Sequence, residues 1–240
     1  MSKQIKKVQC KLLSPFGPSI LHGIMPTDIF SEFETYVHKI LKEKKENHGD
    51  SLAGRIEDEY GMDEKELYNT RLSDFLDAIV SKYATELGDR FYTDALYSKP
   101  NSNNEMNFEV QRIQGWVNSM RTGEYNPLHY HPNCNVTTVF FFNDVNEEFI
   151  DKPIAKSQTG KENDNIKGTT DDGLIEIVYG SSRIMESSTW RIRPNKGEFL
   201  IFPAYLLHVV YPFISKQRRI TASINYKIHS SMNQITFGIN

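Results

Sequence analysis

Residues 197–213 read GEFLIFPAYLLHVVYPF, and residues 218–228 follow as RRITASINYKI. Gly197 opens a strongly apolar run of strand length and Pro203 ends it. A second apolar run carries a single polar side chain, His208, and a third begins with two arginines. Short runs rich in Val, Ile, Phe and Thr, separated by Gly, Pro and Asn, are the signature of strands joined by turns. Working outward, the same texture begins at Phe108. It predicts strands near 108–120, 135–143, 173–179, 188–193, 197–202, 206–212 and 218–228. No helical period intervenes, so the pattern points to a mainly β sandwich or barrel.

The first third differs. After Thr27, the residues Ile29, Phe30, Phe33, Tyr36, Val37, Ile40 and Leu41 follow a 3.6-residue period, which predicts a helix with one buried face. Thr27 and Asp28 are the expected cap and first-turn acceptors, and Lys42 to Lys45 suit its C-terminus. A second helix is predicted through Leu72, Phe75, Leu76, Ile79, Tyr83 and Leu87. Residues 47–66 between them are polar, contain three glycines and read as a loop. Residues 144–172 are almost wholly polar and break the strand rhythm. A segment of that length reads equally as a solvated insertion or as a lid. The expected organisation is one domain over 1–240, with a helical support region at 1–100 and a β core at 108–229.

Composition narrows the class. With 38% hydrophobic and 25% charged residues the chain is globular rather than disordered. A net charge of -3 gives no overall positive field for nucleic acid or anionic lipid. Cys10 and Cys134 form no CxxC pair, so neither a disulfide framework nor a thiolate zinc site is indicated. The N-terminus lacks the apolar core of a signal peptide, and no run reaches the ~20 apolar residues of a membrane helix. A cytoplasmic setting is the expectation.

Three of the seven histidines stand out. His129 and His131 form an H-x-H pair inside NPLHYHPN, and in extended backbone residues i and i+2 share a face. Pro127 and Pro132 bracket the pair, which suits an edge or strand-start segment open to small molecules. His208, alone in its apolar run, is costly to bury without a partner, and a metal ion would supply one. Three neutral imidazoles suit Fe, Zn, Cu or Ni, so ligand type alone does not choose the metal. By contrast, His38 falls on the polar side of the first helix and reads as a surface residue.

Arg218 and Arg219 follow His208 by ten and eleven residues. If their strand lay antiparallel beside that of His208, a guanidinium would sit deeper than the metal. There it could pair with one end of a dicarboxylate whose other end chelates the ion. Alternation puts only one arginine inside. Arg219 is preferred because Ile220 and Ala222 then share the opposite face, and Thr221 joins Arg219 as a hydroxyl contact.

The segments WVNSMRTGEYNPLHYHPN, VTTVFFF, GEFLIFPAYLLHVVYPF and RITASIN, taken together, resemble the Fe(II)/2-oxoglutarate-dependent oxygenases. The likeness is to a prolyl 4-hydroxylase-like group with members in marine bacteria and their phages. For a phage protein the cytoplasm would be that of a host. The resemblance implies a double-stranded β-helix, that is, a cupin-like jelly roll, packed on supporting helices. It also implies Fe(II), 2-oxoglutarate and O2, with hydroxylation of a substrate and release of succinate and CO2. His129 matches the first metal ligand, His208 the distal ligand, and Arg219 with Thr221 the anchor of the far carboxylate. Asn118 and Trp116 match pocket positions. His131 stands where the family usually has a carboxylate, which leaves His131, or else Asp144 or Glu147, as the remaining ligand. Two rival readings keep the same scaffold. One is a three-histidine cupin-like dioxygenase acting without 2-oxoglutarate, which would not need Arg219. The other is a non-catalytic binding or structural module.

Overall fold

The computed structural model describes residues 9–13, 17–45, 47, 53–94, 108–146, 149–151, 171–181, 184 and 187–230. Eight strands make the core: β4 (Phe108–Met120), β5 (Asn126–His129), β6 (Val136–Phe141), β7 (Ile175–Val178), β8 (Thr189–Ile192), β9 (Glu198–Pro203), β10 (Leu207–Val210) and β11 (Arg219–Ser230). They divide between two facing sheets. The larger has the order β1-β2-β9-β6-β11-β4-β3, with β1 (Gln9–Leu13), β2 (Ile20–Ile24) and β3 (Glu59–Gly61) added at its edges. The smaller has the order β5-β10-β7-β8, and every pairing in both is antiparallel. Each passage from β4 to β7 and from β8 to β11 crosses to the opposite sheet, which makes the core a double-stranded β-helix.

The central strands β6 and β9 of the larger sheet are buried on both faces, and this explains their nearly continuous apolar sequence. Along β6 and β9, Phe140, Phe199 and Ile201 face outward into a cluster with the helices α1 (Thr27–Glu43) and α3 (Arg71–Asp94). Their neighbours Val139, Phe141, Leu200 and Phe202 face inward, against Ile175, Ile177 and Val210 of the smaller sheet. One strand period therefore feeds two cores.

The helix α1 buries Ile29, Phe33, Val37 and Ile40, the predicted stripe. It begins one residue earlier than its expected cap. Pro26 holds the N-cap position, with no side-chain cap bond, and Thr27 is already helical. Proline's fixed φ starts the helix without a capping hydroxyl. Asp28 is the first-turn acid as expected, and it also pairs with Arg71 at 2.8 Å. Lys44, at φ 51, ends the helix with its N–H on the Ile40 carbonyl. Tyr83 of α3 reaches across to donate to the Ser19 carbonyl at 2.7 Å.

Two expectations need correction. The first hundred residues are not purely helical: β1 and β2 extend one edge of the larger sheet, and β3 the other. The stretch 47–66 is also not a simple loop. It contains β3 and the short helix α2 (Glu64–Leu67), capped by the Asp63 side chain at Lys65 N. These elements are too short to show a period, and pairing with β9 or β4, rather than local propensity, makes them strands.

Candidate active site

A cavity of about 420 Å³ opens between the sheets. His129, His131, His208, Arg219, Thr221, Asn118 and Trp116 all line it.

The histidines meet because of register. His208 in β10 is paired with His129 in β5, and ladder partners across an antiparallel pair point to the same side. His131 lies two residues on, its backbone N–H on the Ala204 carbonyl at 2.9 Å. One ligand atom from each ring falls within 4.8 Å of the others. His131 Nε2 and His208 Nε2 are 3.2 Å apart. The backbone selects the tautomers: His129 Nδ1 lies 2.7 Å from the Pro127 carbonyl and His208 Nδ1 lies 2.9 Å from that of Leu206. A carbonyl can only accept, so both Nδ1 atoms carry the proton and both Nε2 lone pairs are free for a metal.

Burial holds all three rings neutral. It lowers the pKa of His129, lowers that of His131 to about 4 with help from His129, and puts that of His208 well below the ordinary range. Neutral imidazole is the ligating form. Trp116 stacks on His131, with centroids 5.5 Å apart and an interplanar angle of 19°. Asn225 also lines the cavity, with a buried Oδ1 that has no hydrogen-bond partner among the described residues. Three converging imidazoles, two of them with tautomers fixed by the backbone, fit one divalent ion. Asp144 is not part of the cluster, because its carboxylate accepts from the Lys196 backbone N–H at 2.7 Å. Glu147 lies outside the described residues, as does most of the expected lid, 152–170.

Arg219 stands on the facing sheet. The expectation that β11 lies beside β10 is corrected: β11 pairs with β4 and β6, so the arginine reaches the cavity from the opposite wall. It is 2% exposed. Its Nε donates to the Gly173 carbonyl at 3.1 Å, Nη1 lies 3.6 Å from Met120 Sδ, and Nη2 has no partner. Phe141 lies 5.7 Å from its guanidinium carbon. Burial pushes its pKa down to about 10, and no carboxylate offsets it. A buried guanidinium with a free donor is complementary to an anion. Thr221 and Asn118 are partners in the β4–β11 ladder, both are buried, and Asn118 Oδ1 is also unpartnered. Arg218 points the other way, pairing with Asp58 and reaching the Ser119 carbonyl at 3.2 Å.

Of the remaining histidines, His38 and His229 are exposed, His22 lies 3.4 Å from Glu198, and His48 falls outside the described residues. The sequence reading missed four contributors to the site: Asn225, Met120, the Gly173 carbonyl and Glu59. Asn225 was findable, since it lies on the Arg219–Thr221–Ser223 face of β11. Glu59 and Gly173 carry no such signal.

An antiparallel double-stranded β-helix with a histidine cluster on one wall and a buried arginine on the other is a jelly roll with a candidate metal centre. Residues 114–225 match the family described as "Putative 2OG-Fe(II) oxygenase", a span running from β4 to β11 that contains the three histidines, Arg219, Thr221, Asn118 and Trp116 but not Glu59. Over that segment, slightly under half of the chain, the protein is similar to the 2OG-Fe(II) oxygenases, a likeness that implies Fe(II), 2-oxoglutarate and O2 as cofactors, and the three-histidine cluster fits the iron. No curated protein matches. Among solved structures, the 2-oxoglutarate-dependent carbocyclase SnoK of nogalamycin biosynthesis is 10% identical with a TM-score of 0.51, covering 86% of this chain and 78% of that one. A Pseudomonas putida prolyl-4-hydroxylase is 10% identical with a TM-score of 0.49, covering 85% of this chain and 88% of that one. A Trichoplax adhaerens prolyl hydroxylase is 15% identical with a TM-score of 0.47, covering 88% of this chain and 83% of that one. At 10% identity the likeness to SnoK speaks to fold alone.

Proposed function

We propose that the protein is a 2-oxoglutarate-dependent hydroxylase in which His129, His131 and His208 hold Fe(II). In this reading Arg219 binds the far carboxylate of 2-oxoglutarate, with Thr221 and Asn118 beside it. When bound, the iron couples oxidative decarboxylation of 2-oxoglutarate, giving succinate and CO2, to insertion of the second oxygen atom of O2 into a substrate C–H bond. The protein's own part is to fix three neutral imidazoles, hold the dicarboxylate by its distal end, and line the reacting centre with Trp116, Phe202 and Val139 so that water is excluded.

The observation that carries this reading is the unpartnered, buried Arg219 on the same cavity as the three histidines. A three-histidine dioxygenase working without 2-oxoglutarate has no use for it, and a non-catalytic module would gain by replacing it with an apolar residue. The test is anaerobic addition of Fe(II) and then 2-oxoglutarate to metal-free protein, followed by visible absorption. A charge-transfer band that needs both additions, is absent in His208→Ala and is weakened in Arg219→Ala is the expected result. Iron binding with no response to 2-oxoglutarate would overturn it.

A further inference from the structure

One carboxylate on the cavity wall has no task in the chemistry above. Glu59, in β3, is 1% exposed, yet it lines the cavity and its Oε2 has no hydrogen-bond partner. Its neighbour Asp58 shows what an ordinary carboxylate does here, since Asp58 is held by Arg121 at 2.9 Å and by Tyr60 at 2.7 Å. Strand alternation turns Asp58 toward those partners and Glu59 toward the cavity.

Beside Glu59 stand the carboxamides of Asn118 and Asn126, each with an acceptor oxygen as well as N–H donors. Its ladder partner is Asn118, whose Oδ1 is buried and unpartnered. Gly54 lies between Glu59 and Asn126: a methyl built on it would stand 2.2 Å from Asn126 Oδ1 and 3.2 Å from Glu59 Oε1. Glycine thus keeps open a cradle into which these oxygens turn. The nearest charge that acts on Glu59 is that of Glu124, of the same sign, and together with burial it raises the carboxyl's pKa to about 7. A neutral donor would satisfy one oxygen. Only a cation also offsets the accumulated negative potential.

Position sets Glu59 apart from the cofactor anchor, with Asn118 shared between them. Glu59, Asn118 and Thr221 form one row across three adjacent strands, β3, β4 and β11. At ~4.8 Å per strand, Glu59's strand lies roughly 10 Å from that of Thr221. Among the described residues the atoms that converge within 4.8 Å of one another belong to His129, His131 and His208, and Glu59 is not one of that group.

We infer that Glu59, with Asn118 and Asn126, is a substrate-binding subsite for a cationic nitrogen, an ammonium or guanidinium group, at the β3 edge of the cavity. The inference rests on the reading of this cavity as the active site. It makes the substrate class basic: an amine, or a lysine or arginine side chain.

The probes are n-butylammonium, n-butylguanidinium and, as a neutral alcohol of intermediate size, 1-pentanol. Each is titrated calorimetrically into the metal-free protein and, anaerobically, into the Fe(II)–2-oxoglutarate complex. The wild-type protein should prefer the cations over 1-pentanol by about tenfold or more, and Glu59→Gln should abolish that preference. Gly54→Ala, which fills the cradle without touching the charge, should weaken both cations and serves if Glu59→Gln fails to melt cooperatively. Absence of a cation preference in the wild-type protein, or its survival in both variants, overturns the inference. A wild-type protein that develops no charge-transfer band sinks the 2-oxoglutarate reading instead, while the titration of metal-free protein still decides for Glu59.

Discussion

His129 and His208 are ladder partners in the β5–β10 pair, with ring centroids 4.2 Å apart. Their geometry is set by the sheet, while His131 is placed by the turn that follows and by its stacking on Trp116. Loss of a ladder histidine therefore removes a fixed donor. His208→Ala should lower iron affinity by more than the roughly 100-fold that loss of an outer-shell partner costs. His131→Asp restores the two-histidine, one-carboxylate set and should keep iron, whereas His131→Ala should not. Metal content after gel filtration, with the visible band as a second readout, checks all three. Retention of iron by His208→Ala would remove it from the ligand set.

Arg219 is a buried charge whose partner arrives only with the ligand. In the metal-free protein it is a liability, and Arg219→Met should leave stability unchanged or raise it by about 1–3 kcal/mol. The same substitution should weaken 2-oxoglutarate by about 30-fold or more, the usual cost of removing one member of a desolvated charge pair. Conversely, 2-oxoglutarate at a hundred times its Kd should raise wild-type stability by about 2.7 kcal/mol in the iron-loaded protein. Thermal melts with and without 2-oxoglutarate measure both. A marked destabilisation of ligand-free Arg219→Met would show that the arginine is structural.

Seven of the eight core strands are legible in the sequence as short runs rich in Val, Ile, Phe and Thr bounded by turn residues, and burial of both faces makes those of β6 and β9 nearly all apolar. The eighth, β5, appears only as the extended edge segment around Pro127. The H-x-H pair, His208 and the Arg219 side of the double arginine are legible for the same reason, since alternation alone sorts Arg219 inward and Arg218 toward Asp58. What the sequence hides is partnership. Nothing local says that β11 pairs with β4 rather than β10. Nor does anything local say that the three residues of β3 become a strand, because long-range hydrogen bonding decides both. Glu59 is invisible for that reason: within DEYG it looks like one more surface acid.

The pH dependence of stability should report Glu59 directly. Burial, aided by Glu124, raises its carboxyl from 4.5 to about 7 in the folded state. The folded protein thus holds this proton more tightly than the unfolded chain. Its contribution is fully present below about pH 4.5 and is lost as pH rises through about 7. Glu59→Gln cannot lose it. The variant should gain on the wild-type protein across that window, by roughly 2 kcal/mol after allowance for water entering the cavity. Denaturant midpoints for both proteins at pH 5 and pH 8 give the difference, and curves that stay parallel would mean that Glu59 is ionised and solvated throughout.

Gly173 joins the backbone to the cofactor anchor. Its φ is +67°, and an added Cβ would stand 2.8 Å from Val145 Cγ1. Its carbonyl accepts from Arg219 Nε at 3.1 Å. Gly173→Ala meets both the left-handed backbone cost of about 1–2 kcal/mol and an overpacking cost of about 1–3 kcal/mol. Relief of the clash must move the carbonyl that aims the guanidinium, so 2-oxoglutarate affinity should fall along with stability. Gly123 provides the control: its φ is +79°, and nothing lies within 4 Å of an added Cβ. Gly123→Ala should show the backbone cost alone and bind 2-oxoglutarate normally. Calorimetric titration of 2-oxoglutarate into both iron-loaded, anaerobic variants separates the two effects. Equal affinities would mean that Arg219 keeps its aim through Phe141 and Met120 without the Gly173 carbonyl.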